Sequence, residues 1–444
     1  MVRSARHSPG KHKVHILTLG CAKNVVDSEM LMAQLASSNV ELSPTIEGAD
    51  IAVINTCGFI ETAKRESLET LFSLLRHKSG GRLKKIYAMG CLTERYREEL
   101  RKEIPEVDAM FGTHQLREIV EELGATYRYE LLGERLLTTP THSAYLKISE
   151  GCDNPCSFCA IPMMRGRHIS RPIEDLLHET YRLAEKGVRE VVVIGQDTTY
   201  YGMDLYGKRR LAGLLEGLAE IEGVEWIRLM YAYPAKFPLD LLRVIAENPK
   251  VCKYLDLPVQ HVSDSVLRSM RRGISQRTLR RLISTLRERV PDLALRTTLI
   301  VGYPGETEKE FAELMRFVQD VRFERLGVFT YSQEEGTGAH ALGDPVPAAE
   351  KERRRALVMQ VQQEISERRN EQLVGSVQRV IIDGREGEVY IGRTQWDAPE
   401  VDNEVVVNAK TELNLGGFYD VEIVGAYEYD LEGIVPLVSR GGSV

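Results

Sequence analysis

Apolar and polar positions alternate along this chain in blocks that set out its architecture before any composition is counted. Three short apolar runs, VHILTLG, IAVINT and KIYAMG, lie within residues 14–135. Polar stretches with helical spacing follow them, among them NVVDSEMLMAQLAS and ETAKRESLETLFSLLR. Strand, turn and helix in alternation predict a doubly wound parallel sheet with helices on its faces. Over residues 140–370 the alternation recurs six times. The predicted strands are SAYLKIS, REVVVIG, EWIRLMYA, KYLDLPV, LRTTLIVG and RLGVFTY, separated by stretches such as PIEDLLHETYRLAEKG and QRTLRRLISTLRERV. Six βα units are too few for the eightfold barrel. A charged helix follows from Pro347 to about Gln372, with Ala356, Leu357, Val361 and Ile365 at helical spacing. Its basic run Lys351–Arg355 reads as a solvated face by default. Residues 374–440 switch to short β-rich runs with Gly and Asn turns, which predicts a small antiparallel β-barrel.

Composition adds bounds rather than detail. A length of 444 residues allows about three domains, and 43% hydrophobic with 28% charged residues is the balance of a globular protein. No apolar run approaches the ~20 residues of a membrane span. The basic N-terminus lacks an apolar h-region, so a cytoplasmic protein without a membrane partner is expected. Seven cysteines, an odd number, point away from a disulfide framework and toward metal or redox chemistry. The net charge of −7 is unevenly spread. From Glu371 onward there are 14 acidic and 5 basic side chains, a net of −9, which leaves +2 for the rest. Such a surface repels phosphate and attracts a basic protein, so nucleic acid is not required as a partner. The loop Asp397–Glu404 (DAPEVDNE) is expected to carry much of that exposed acidity.

The chemistry concentrates in the loop GCDNPCSFCAIPMMRGR, where Cys152, Cys156 and Cys159 stand in CxxxCxxC spacing directly after a predicted strand. Thiolates are soft ligands, and three so close can wrap one face of an iron–sulfur cluster and leave one iron open. A zinc site or three buried thiols are the alternatives, and zinc spacing would pair CxxC with a distant second pair. Cys21, Cys57 and Cys91 each follow one of the three N-terminal strands. In open parallel sheets the C-terminal strand ends line the ligand crevice, so these thiols should share one edge as a second cluster site. Asn24, Asn55 and Thr56 beside them fit either contacts to cluster sulfur or ordinary turn and cap roles. Cys252 has no companions and reads as packing, and His261 as a structural histidine.

The cysteine loop resembles the signature of the radical S-adenosylmethionine superfamily. TLGCAKNVVDSE resembles the N-terminal signature of its methylthiotransferase family, in the branch that modifies an aspartate of ribosomal small-subunit protein twelve. The resemblance covers nearly the whole chain after residue 13. It implies an open (β/α)6 barrel and two [4Fe–4S] clusters, one on each cysteine triad. It further implies S-adenosylmethionine on the open iron of the Cys152/Cys156/Cys159 cluster, an external electron donor, and a C-terminal module of the TRAM type. Phe158 would then lie near the adenine, and Gln196 and Asp197 (GQD) near the methionine amine. Arg296 would hold the methionine carboxylate, and Gly302 in GYPGET would approach the adenosine. The activity implied is methylthio transfer to the aspartate β-carbon of a basic ribosomal protein docked on the acidic C-terminal domain. A transfer-RNA adenosine methylthiotransferase and a non-catalytic iron–sulfur sensor are the rival readings. The first would need a basic C-terminal domain, and the second would have no use for a nucleotide pocket.

Overall fold

The computed structural model describes residues 12–38, 40–131 and 133–436. The basic N-terminal segment and the last eight residues lie outside them. The chain divides into two compact units, residues 1–138 with 160–167, and residues 139–159 with 168–444.

The first unit holds β1 (Lys13–Thr18), β2 (Glu41–Leu42), β3 (Ile51–Thr56), β4 (Lys85–Gly90) and β5 (Ala109–Met110), all parallel, in the order β2-β1-β3-β4-β5. Side chains of a strand point alternately to its two faces. Ala52 and Ile54 therefore pack on one side with Leu71 and Leu74, while Ile51 and Val53 pack on the other with Leu31 and Leu35. Burial on both faces explains why IAVINT is an unbroken apolar run rather than an alternating one. The central strands β1, β3 and β4 are those whose ends carry cysteines.

In the second unit β6 (Ser143–Lys147) is followed by a two-stranded antiparallel pair, β7 (Ser149–Glu150) with β8 (Ile169–Ser170). Then come β9 (Glu190–Ile194), β10 (Trp226–Leu229), β11 (Val251–Asp256), β12 (Ala294–Val301) and β13 (Arg325–Thr330). The sheet order β13-β12-β11-β10-β9-β6 is chain order, and every pairing is parallel. Each βα unit thus adds its strand beside the previous one. The remaining strands, β14 (Val377–Glu386), β15 (Val389–Thr394), β16 (Val405–Asn408), β17 (Phe418–Ala426) and β18 (Leu431–Ile434), close a barrel in the order β14-β15-β16-β18-β17. It is not wholly antiparallel, because β16 and β18 run parallel. An odd number of strands cannot close on itself with every neighbour reversed.

The helix Ala348–Glu371 buries Ile365 as expected, but the rest of its buried face is largely polar. Lys351, Arg354, Val358, Gln362, Ile365, Ser366 and Asn370 are buried, whereas Ala356 is exposed. Nor is its basic run solvated throughout: Lys351 Nζ donates to Tyr331 O at 2.9 Å, and Arg354 pairs with buried Glu306 at 2.8 Å.

Buried ion pairs and hydrogen bonds join the strands of the six-stranded sheet to the small barrel. Glu190 opens β9 and accepts from Arg228 at 2.9 Å and from Arg393 of β15 at 2.6 Å, with no side-chain exposure on Glu190 or Arg228. Arg325 pairs with Asp397 at 2.5 Å, and Arg296 with Asp402 at 3.2 Å. Tyr254 donates to Asp402 at 2.6 Å, and Tyr145 to Glu400 at 3.2 Å. Asp397 and Asp402 of the loop Asp397–Glu404 are thus turned inward, against the expectation of an exposed acidic loop, whereas Glu400 and Glu404 stay exposed. A charge count along a sequence does not show which carboxylates meet arginines.

Burial alone would raise the Glu190 carboxyl, but Arg393 and Arg228 outweigh it and hold it at about 2. A depressed folded value stabilises above the unfolded value of ~4.3, and that stability is lost as pH falls toward the folded value. The urea midpoint of this unit is expected to drop progressively as pH falls from about 5 to about 2. Glu190→Gln should cost ~3–5 kcal/mol at neutral pH, because it leaves two buried arginines undercompensated. An acid limb equally steep in Glu190→Gln would assign the loss to other groups.

Candidate active site

In the second unit the cysteine loop leaves β7 through Gly151, whose φ is +71°. Several bonds fix its course. Ser157 N–H donates to Met270 O at 3.1 Å, Ala339 N–H donates to Ser157 O at 2.6 Å, and Cys159 N–H donates to Cys156 O at 3.2 Å. Cys152, Cys156 and Cys159 are partly exposed free thiols. Asn154 donates through Nδ2 to Cys152 Sγ at 3.4 Å and to Asp197 Oδ2 at 2.8 Å. Arg272, 4% exposed, donates to Cys156 Sγ at 3.2 Å and stacks on Tyr233 with 4.3 Å to the ring centroid. Burial pushes the Cys152 thiol up to about 11, with Asn154 opposing. A neutral thiol so placed resists ionisation, whereas a metal ligand must be a thiolate. The guanidinium on Cys156 and the donors on Cys152 suit that charged form.

Other polar groups at the same strand ends lack protein partners. Ser149 Oγ, Gln196 Oε1 and Gln260 Oε1 are buried without a hydrogen bond. They sit on β7, just past β9, and past β11. Gln260 is also held at φ +70°. Orphaned buried acceptors clustered at one edge fit a polar ligand there. Ser149 was not legible from sequence, since a serine inside a strand carries no signal.

The residues expected to contact S-adenosylmethionine have protein partners of their own. Both oxygens of Asp197 are engaged, by Asn154, Thr199 Oγ1 at 2.6 Å and Tyr200 N–H, so it anchors the cysteine loop. Arg296 is the third of eight residues in β12, and its guanidinium is committed to Asp256 and Asp402. It therefore belongs to the ion-pair layer rather than to a carboxylate clamp at the strand ends. At Gly302 a Cβ would fall 2.4 Å from Lys351 Cγ, so the close approach there is to a side chain. Phe158 packs with Val266, Met270, Tyr303, Tyr331 and Ala339. Gln196 keeps a free acceptor while Nε2 donates to Glu150 at 3.0 Å. His261 is fully buried and accepts from Ser263 N–H at 3.0 Å, and Cys252 is buried with its thiol pushed up to about 11 by burial.

In the first unit Cys57 and Cys91 directly follow β3 and β4, and Cys21 lies three residues past β1. Because these strands are adjacent, all three thiols share one sheet edge. Gly20, at φ +93°, is required there: a Cβ would lie 2.7 Å from Cys57 Cβ and 3.1 Å from its Sγ. Asn24 Nδ2 bonds Leu19 O at 2.7 Å and Thr56 O at 3.2 Å, Asn55 bonds Asn24 O at 2.9 Å, and Thr56 bonds Met89 O at 2.7 Å. These residues tie the strand ends together. Arg165, 2% exposed, donates to Cys91 Sγ at 3.3 Å. Burial drives the Cys91 thiol up to about 12 with Arg165 opposing, and it raises Cys57 as well. Among the described residues no three His, Cys, Asp or Glu side chains are gathered tightly enough to hold one metal ion. A cluster is held differently, each cysteine taking a separate iron.

Comparison with known proteins agrees with this layout. Residues 13–112 match the uncharacterized protein family UPF0004, residues 146–318 the radical SAM superfamily, and residues 374–435 the TRAM domain. The chain shares its fold with the radical S-adenosylmethionine methyltransferase TsrM from Kitasatospora setae. The TM-score is 0.54 at 12% identity, over 83% of this chain and 80% of that one. It is 51% identical to the ribosomal protein uS12 methylthiotransferase RimO of Cytophaga hutchinsonii over 95% of this chain and 98% of that one. The same protein of Chloroherpeton thalassium is 53% identical over 96% of this chain and 99% of its own. At that identity and coverage, the chain belongs to the RimO family of ribosomal protein uS12 methylthiotransferases.

Proposed function

We propose that this chain adds a methylthio group to the β-carbon of an aspartate in ribosomal protein uS12, using two cysteine-held [4Fe–4S] clusters and S-adenosylmethionine. The observation that carries the reading is the pair of cysteine triads, each at the C-terminal strand ends of its own parallel sheet. When bound, the clusters and S-adenosylmethionine supply the electron transfer, the hydrogen abstraction and the methylthio group, with electrons from an external donor. The protein's residues bind and orient. Asp197 and Asn154 hold the barrel loop, Arg272 compensates thiolate charge at Cys156, and Gln196, Ser149 and Gln260 offer acceptors to the methionine end or the ribose. Cys21, Cys57 and Cys91 hold the second cluster. A ribosomal substrate places the reaction in the cytoplasm, and no helix among the described residues is long and apolar enough to cross a membrane.

For docking, we assign the exposed acidic side chains of the small barrel outside the loop Asp397–Glu404, namely Glu386, Glu388, Glu412, Asp420 and Glu428. They complement a basic ribosomal protein. The direct test incubates anaerobically reconstituted enzyme with S-adenosylmethionine, a low-potential reductant and uS12, followed by mass spectrometry of the substrate. One methylthio group in place of one hydrogen on an aspartate is expected. Modified transfer RNA with unmodified uS12 would reverse the substrate assignment.

A further inference from the structure

The segment that follows the barrel cysteines in sequence contributes a buried cation to the other triad. The short helix Ile161–Arg165 begins two residues after Cys159, yet it packs within the first unit. Ala160 and Met164 are buried against Cys91, and Thr113 Oγ1 donates to Met164 O at 2.6 Å. This apolar seat delivers Arg165 to the strand ends. Its guanidinium addresses three groups: Nε donates to Cys91 Sγ at 3.3 Å, Nη1 to Asp27 Oδ2 at 2.6 Å, and Nη2 to Asn24 Oδ1 at 2.5 Å. Only a planar fork donates in three fixed directions at once, which a lysine ammonium does not reproduce. Asn24 is itself pinned by Leu19 O and Thr56 O, so the fork has rigid support.

We propose that Arg165 is a positioning residue for the first-unit site. It holds the Cys91 sulfur and, through its N–H···S bond and its charge, sets how readily the iron–sulfur group bound there accepts an electron. The role rests on the two-cluster reading above. Hydrogen bonds to ligand sulfur and local net charge are two of the quantities that set a cluster's potential. Both favour the more negative, reduced form when a cation is the donor. Asp27 works against it, as the carboxylate that partly neutralises the guanidinium.

The two residues therefore predict shifts of opposite sign, which a purely structural role does not. The test uses the full chain with Cys152, Cys156 and Cys159 replaced by alanine, so that only the first-unit site loads. Iron content and the midpoint potential, from an EPR-monitored redox titration, are measured. Arg165→Gln is expected to lower the reduced-to-oxidised ratio about tenfold at fixed poise, or ~59 mV for one electron. Arg165→Lys should recover most of that shift by restoring the charge. Asp27→Asn should move the potential upward, and it keeps the proposal testable if Arg165→Gln does not fold. An unchanged potential in Arg165→Gln with iron retained would overturn the role. So would an Asp27→Asn shift that is absent or downward. A parent variant that binds no iron would overturn the two-cluster reading itself, and this role with it.

Discussion

Replacing Cys21, Cys57 and Cys91 together with alanine is expected to abolish methylthio transfer to uS12 while reductive cleavage of S-adenosylmethionine continues. The groups that brace Cys152 and Cys156 come from their own unit: Asn154 and Asp197 beside Cys152, Arg272 and Tyr233 beside Cys156. Cleavage therefore has its ligand loop and its orphaned acceptors without help from the first sheet. Replacing Cys152, Cys156 and Cys159 instead should abolish both reactions. Iron should fall from about eight per chain to about four in either triple variant. Groups that act as one unit lose their function together, so Cys91→Ala alone should cost nearly as much as the triple, on the order of 10^3 or more in transfer rate. Transfer that persists in the first-unit triple variant would make that site structural. Wild-type iron near four would remove the second cluster altogether.

How far the sequence discloses this site depends on how local each feature is. CxxxCxxC is a local signal, and so is a cysteine just past each of three apolar runs. Parallel topology did the rest, because adjacent strands carry their ends to a common edge. The six βα repeats were legible for the same reason: hydrophobic periodicity is local, and chain order became sheet order. What escaped is long-range. Arg165 meets a cysteine 74 positions away, and Arg272 one 116 positions away. Nothing in either stretch marks an arginine aimed at sulfur rather than solvent. Arg296 illustrates the reverse error. Its residue type suits a carboxylate, and it does bind two, but both are side chains, Asp256 and Asp402. The long helix Ala348–Glu371 misled through composition, since its buried face is largely polar and its charged heads are paired internally.

The acidic C-terminal barrel separates two kinds of carboxylate that the net of −9 merges, and reversing them is expected to give opposite outcomes. Asp397 is 2% exposed and faces Arg325, and the Asp402 side chain is similarly enclosed by Arg296 and Tyr254. Burial raises the Asp402 carboxyl, and the two arginines oppose that rise. Asp397→Lys or Asp402→Lys removes the partner of a buried guanidinium and places a second cation beside it. Each should destabilise the unit by ~3–5 kcal/mol or more, read as a lowered urea midpoint. Glu386, Glu388, Glu412 and Asp420 are exposed, so converting them to lysine should change stability by no more than about 0.5 kcal/mol each. Their effect should appear in the substrate instead. The apparent KM for uS12 should rise, and its salt dependence should flatten, because attraction between exposed charges is screened over ~8–10 Å. S-adenosylmethionine cleavage without substrate should be unchanged. If the exposed set leaves KM and its salt dependence unaltered, docking lies elsewhere and the outer acidity serves solubility. If Asp397→Lys is as stable as the wild type, the inward carboxylate is not what joins the six-stranded sheet to the small barrel. Measured together, the two sets test whether the acidic charge is divided between holding the unit together and docking uS12.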